Sequence, residues 1–382
     1  DRLRSRGLGD VYKRQNIDNR NSKVTEYLDK LYLLASNNAP STGNMPYESS
    51  LTAIFDSKTM SYREIILVAL VGRMLDDSFR AYSHFYGCKP RAIFEGPIKD
   101  FCNAKGFPHT KSGPLNIAKA SNINEAWASQ RDPKIDADFV VDLIKLIDSK
   151  DDAFRTNLGV DLMRKYISSA QHIQSLTVEF TPSTNPIHLE GLCRKMIDGA
   201  PDSGNTPQRI FGFLLESYHT SIHTGIIVSG ADDSASATST TSKKPGDINE
   251  EGADGSIYRV YEVTVKPFDL SRIIDSYDCI KKYNDEKHTH INEIVVVCRK
   301  RDCPSDIKHS PYYFCLGTYE YQDVIYYYWD IYEWISYMLQ HMIPSARENF
   351  YSRLNSYVND TNTHEAVKVL WNCLLYTSPS PR

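Results

Sequence analysis

Lys243-Lys244-Pro245-Gly246-Asp247-Ile248 and Tyr261-Glu262-Val263-Thr264-Val265-Lys266 are two extended segments separated by Ala253-Asp254-Gly255-Ser256. Asp-Gly between extended segments is the strongest short-range hairpin signal and predicts a two-residue type I′ turn. Centring the loop on Asp254-Gly255 pairs residues whose numbers sum to 509, so Asp247 faces Glu262. Two carboxylates facing each other across a strand pair repel unless a cation lies between them. Mg²⁺ suits that place, because it takes oxygen ligands and is typically held by one or two carboxylates together with substrate phosphates. Alternation over residues 258–266 puts Glu262, Thr264 and Lys266 on one face and Tyr261, Val263 and Val265 on the other. A lysine beside a metal-bound phosphate orients the attacking water and neutralises developing charge. The same residues also suit an ordinary exposed hairpin with a glutamate and a lysine on its wet face.

The flanking sequence extends the pattern. Residues 207–221 read as a helix, with Thr206 as N-cap, Pro207 at the first helical position, and Ile210, Phe213, Leu214 and Tyr218 on one face. A short strand follows at Gly225-Ile226-Ile227-Val228. After Pro267, Asp269 or Ser271 caps a second amphipathic helix whose apolar positions are Ile273, Ile274, Tyr277 and Ile280. Ile294-Val295-Val296-Val297-Cys298 is a wholly apolar strand of the kind buried on both faces. The expected order over roughly residues 205–300 is helix, strand, strand, strand, helix, strand.

With the acids, the lysine and this order in view, the chain resembles the PD-(D/E)XK nuclease superfamily, type II restriction endonucleases in particular. The family pattern is an Asp at a strand start, then an acid, any residue and Lys on the next strand. Asp247 fits the first position, but Thr264 stands two before Lys266 where the family has an acid. Either Glu262 is the acid and Lys266 reaches back along the strand, or a bulge shifts Thr264 into the acid position and another carboxylate substitutes. The resemblance implies an α/β protein with a restriction-endonuclease-like αβββαβ core behind a mainly helical N-terminal domain. It implies Mg²⁺-dependent hydrolysis of phosphodiesters in double-stranded DNA at a specific site. Asp247 and Glu262 are then the metal ligands and Lys266 the water-positioning cation. Glu216 on the first helix is an accessory acid, with Asp275 and Asp278 on the second helix as alternatives. A homodimer and a cognate DNA methyltransferase encoded nearby are the implied partners. A structure-selective repair or recombination nuclease on the same core, and a non-catalytic DNA-binding module, are the alternatives.

Other features bound the reading. The formal net charge of −4 argues against a generally basic nucleic-acid coat, though not against a local positive cleft. The stretch 106–119 interleaves Lys, His, Asn and Ser with Gly and Pro, which suits phosphate and base-edge contacts as well as any solvated loop. Lys111, Asn116 and Lys119, with Lys243 and Lys244, are the candidate DNA contacts. Residues 230–246 are low in complexity. Helical apolar spacing marks 61–76, 137–148 and 158–172, and Ser175–Thr181 reads as extended. The tyrosine-rich segment from Tyr312 to Trp329 predicts one or two strands, then a helix at about 330–343. Scattered cysteines fit a reduced, cytoplasmic protein without a disulfide framework, and the Cys298, Cys303, His309, Cys315 spacing matches no tight zinc knuckle. No apolar run approaches the ~20 residues of a membrane span.

The two ends read as one DNA sequence translated from complementary strands. GAT GTG TAT AAG AGA CAG encodes Asp10-Val11-Tyr12-Lys13-Arg14-Gln15, and its frame-shifted reverse complement encodes Cys373-Leu374-Leu375-Tyr376-Thr377-Ser378. Residues 1–15 and 373–382 are therefore expected to be translated sequencing adapter and are set apart from fold reasoning. Residues 16–200 are read as the helical domain, with possible DNA recognition, and 201–372 as the nuclease domain.

Overall fold

The computed structural model describes residues 2–37, 45–119, 122–178, 182–233 and 244–377. The chain divides into two units at Ser175/Leu176, not after residue 200. Helix Pro186–Gly199 accounts for the difference, because it buries Leu189, Leu192, Cys193, Met196 and Ile197 in the core of the second unit.

Among its described residues the N-terminal unit is helical. Its principal helices are Arg2–Asn37, Glu48–Asp56, Ser61–Leu75, Lys134–Ser149 and Asp152–Ser175. Helix Ser61–Leu75 carries the apolar run Ile65–Val71 and is buried on nearly every side from Ser61 to Arg73. One buried polar group on it is Glu64, which accepts hydrogen bonds from the Thr110 amide and hydroxyl, each at 2.5 Å. Desolvation pushes the Glu64 carboxyl up to about 7, against the pull of the Thr110 bonds and the Arg63 charge. The expected extended segment at Ser175–Thr181 is replaced at its start by the end of a helix, and residues 179–181 lie outside the described residues.

The C-terminal unit is a seven-stranded mixed sheet with helices on both faces. Its elements are α1 (Pro186–Gly199), α2 (Asn205–Ser221), β1 (Ile227–Ser229), β2 (Ile248–Glu251), β3 (Ile257–Val263), α3 (Leu270–Lys287), β4 (Glu293–Cys298), β5 (Lys308–Tyr312), β6 (Cys315–Tyr321), β7 (Val324–Asp330), α4 (Ile331–His341), α5 (Pro344–Asn359) and α6 (Glu365–Thr377). The strand order is β1-β2-β3-β4-β7-β6-β5. β1, β2 and β3 form an antiparallel meander, α3 crosses over, and β4 returns parallel to β3 and to β7. α6 continues past residue 373, with Leu374 and Leu375 packed on the core.

The two sheet faces bury different sets of residues. Tyr261, Val263, Val295 and Val297 pack with α1, α2, α4 and α5, while Val260, Ile294, Val296, Tyr326 and Tyr328 pack with α3. A strand covered on both faces needs no polar alternation, which is why β4 is apolar throughout. Two tyrosines of β7 bury their rings and donate their hydroxyls to carbonyls of the α3 segment, Tyr326 to Ile273 and Tyr328 to Phe268, each at 3.2 Å. α2 starts at Asn205, two residues before the expected point. Thr206 is thus no cap; its hydroxyl donates to the Ala200 carbonyl at 2.6 Å.

Candidate active site

The β2–β3 register decides what Asp247 meets. Ile248 pairs with Tyr261, Asn249 with Val260 and Glu250 with Arg259, the expected sum of 509 on each of these three rungs. The turn differs from the expectation. Of its residues only Gly255 has a positive φ, +80°, and its amide donates to the Gly252 carbonyl at 2.9 Å. That is a type I turn with a left-handed glycine, a three-residue loop. It shifts the register by one, and Glu251 pairs with Ile257. The extra residue on β3, Tyr258, is a bulge that shifts it back.

Asp247 therefore stands at the head of β2 opposite Glu262, and its Oδ2 accepts the Val263 amide at 3.0 Å. Two glycines hold its backbone in place. A Cβ on Gly230 would lie 2.0 Å from the Asp247 carbonyl oxygen, and one on Gly246 would lie 2.5 Å from Val260 Cγ1. The Glu262 and Asp247 side chains face one another closely enough for each to act on the other's charge. Burial pushes both above the ordinary carboxylate range, Glu262 furthest because the Asp247 charge adds to its desolvation.

The cation on this face is Arg272, which draws both acids down without making an ion pair to either. Its guanidinium lies over the Phe268 ring, 4.6 Å from the centroid, and donates to Thr264 Oγ1 at 2.7 Å. Thr264 is buried and also accepts the Lys266 amide at 3.0 Å, so its hydroxyl ends β3 and ties down Arg272. Of the first sequence alternative, Glu262 facing Asp247 is seen, and Lys266 reaching back along the strand is not. Lys266 departs from expectation: β3 ends at Val263, and the lysine stands exposed beyond it.

Glu216 is not brought to the acids either. It lies on α2, which packs on the sheet face opposite Glu262, and its Oε2 pairs with Arg353 at 2.8 Å. Asp275 and Asp278 are exposed on α3. Lys244 pairs with Asp233 at 2.8 Å, and Lys243 lies outside the described residues. Lys111, Asn116 and Lys119 are exposed around the short helix Gly113–Ala118 of the N-terminal unit.

Sequence reasoning passed over Arg272 and Asn249. Asp269 caps α3 through Oδ1, accepting the Arg272 amide at 3.3 Å, which puts the arginine at the position where capping boxes and the helix dipole favour an acid. That misplaced charge is a readable signal. Asn249 follows Asp247 by two and so shares its face. It is fully buried, and its Oδ1 has no hydrogen-bond partner.

The oxygen-only donor set of Asp247, Glu262 and the orphan Asn249 Oδ1 fits a hard divalent cation. No cluster of three or more His, Cys, Asp or Glu side chains forms among the described residues, and no helix among them is long and apolar enough to cross a membrane. Searched against known proteins, the chain matches no family model and no curated sequence.

Proposed function

We propose that the C-terminal unit is a PD-(D/E)XK-type nuclease domain and that the chain is a type II restriction endonuclease. The observation that carries this reading is the half-buried acid pair Asp247–Glu262, opposed across antiparallel strands with a guanidinium on the same face. Partly desolvated acids facing one another are costly to a fold and mark sites where a cation or substrate completes the charge. The antiparallel meander, crossover helix and parallel fourth strand also support the superfamily core.

In this reading Asp247 and Glu262 hold Mg²⁺, which when bound stabilises the attacking and leaving oxygens of phosphodiester hydrolysis. The Val263 amide fixes the Asp247 carboxylate, and Thr264 fixes Arg272. Arg272 takes the charge-neutralising role that the family pattern gives to lysine, and Lys266 sits at the rim. Lys111, Asn116 and Lys119 contact the DNA backbone and base edges. Recognition of a palindromic site calls for a homodimer, and protection of the host calls for a cognate methyltransferase.

The test is incubation of the full chain with plasmid DNA in Mg²⁺ or Mn²⁺, with an EDTA control. A discrete fragment ladder that EDTA abolishes supports the reading. Cleavage that survives EDTA sinks it. Metal-dependent but structure-selective cutting selects a repair nuclease instead, and DNA binding without cleavage selects a non-catalytic module.

A further inference from the structure

We infer that Asn249 is the third protein ligand of a divalent-cation site with Asp247 and Glu262, its carboxamide oxygen completing an all-oxygen set. The inference rests on the reading of the two acids as metal ligands.

Four observations carry it. Asn249 lies on the middle rung of the register opposite Val260, with no exposed surface. Alternation along β2 sends Ile248 into the core beneath α2 and leaves Asp247 and Asn249 together on the α3 face, with Asn249 diagonal to Glu262. The orientation of the carboxamide is determined: its Nδ2 donates to the Gly246 carbonyl at 3.4 Å, and exchanging the two atoms would set oxygen against oxygen. The amide therefore leans toward the Asp247 end of the strand, and its Oδ1 is left without a partner. A buried acceptor with no donor costs free energy in the unliganded protein. Leucine or valine would fill the position opposite the buried Val260.

The donor chemistry selects the ion. Two carboxylates and a neutral carbonyl oxygen match Mg²⁺, Mn²⁺ or Ca²⁺, and without nitrogen or sulfur they do not favour zinc or copper. The neutral third ligand also explains how the site works with Thr264 where an acid is expected, since oxygen count is restored without a third buried charge.

The experiment is calorimetric titration of Mn²⁺ into the full chain without DNA, comparing wild type, Asn249→Leu, Asn249→Asp and Asp247→Asn. Asn249→Leu is expected to weaken Mn²⁺ binding by about tenfold or more, the scale on which ligand-shell changes act. It is also expected to raise the melting temperature of the metal-free protein. Asn249→Asp, which keeps the shape and adds charge, is expected to tighten binding. If wild type and Asp247→Asn differ in Mn²⁺ affinity but Asn249→Leu binds like wild type, the inference fails and the acid-pair reading stands. Should Asn249→Leu not fold, an Asn249→Asp protein that binds no tighter than wild type overturns it. A wild type that binds no Mn²⁺ at millimolar concentration removes the acid-pair reading and this inference together.

Discussion

β2 and the residue at its head present one acid to each face of the sheet, Glu250 buried and Asp247 half-buried, and the two are treated differently. Beneath α2, Glu250 is met by His219 at 2.9 Å, and the other ring nitrogen of His219 lies 3.0 Å from Thr224 Oγ1. A single carboxyl with a polar chain leading to the surface is how folds ordinarily bury charge. On the α3 face, Asp247 meets another carboxyl, Glu262, with Arg272 held back by Thr264 and the Asn249 oxygen unpartnered. The first arrangement closes its own polar accounts within the fold. The second leaves a carboxyl facing a carboxyl and an amide oxygen without a partner.

The largest expected effect is on Asp247→Asn, which keeps the acceptor for the Val263 amide and removes one charge. Metal-dependent cleavage is expected to fall by about 10³-fold, the order lost with one group that stabilises developing charge. The metal-free melting temperature should hold or rise. A variant that cuts at the wild-type rate makes the two faces equivalent.

In the N-terminal unit Glu64 is a buried acid satisfied by Thr110 but desolvated. Its folded pKa, about 7, lies above the ordinary 4.5, so its contribution to stability is full below about pH 4.5 and is lost as pH rises through 7. The shift corresponds to roughly 3 kcal/mol. Chemical denaturation of wild type and Glu64→Gln from pH 4 to 8 should show wild type losing stability relative to the variant across that window. Parallel curves would mean that Glu64 is charged at no cost.

Arg272 and Lys266 separate the cation seen at the acids from the one the family pattern names. Arg272→Ala is expected to slow cleavage by about 10²-fold, and Lys266→Ala by less than about threefold. The reverse ranking in single-turnover assays would show that the lysine swings into the site. His219→Ala should leave Mn²⁺ affinity unchanged and cost about 1–3 kcal/mol in urea denaturation, because Glu250 loses its buried partner. Lost metal binding in a stably folded His219→Ala protein would join the two faces into one site.

The acid pair was legible because strand alternation and a glycine turn are local rules, and Asp247 opposite Glu262 follows from them. The agreement came through two departures: the loop has three residues rather than two, and Tyr258 bulges to compensate. Neither shows in the residue pattern, since Asp-Gly serves both turn types. The order α2, β1, β2, β3, α3, β4 was legible for the same local reasons. The place of Glu216 was not, because which face of a sheet a helix covers is a tertiary choice that helix spacing leaves open. Lys266 was misplaced because alternation was carried past the point where the Thr264 hydroxyl turns the chain out of the strand.

The compensated hairpin has a consequence for chain length. The surplus residue Tyr258 lies between the turn and the three rungs that end at Ile248 and Tyr261. Removing it would straighten the ladder and leave Asp247 opposite Glu262. The tip therefore acts as a length buffer. Insertions and deletions there are absorbed before they reach the acids, and related chains are expected to vary in length beyond Glu250 and to keep the count constant below it.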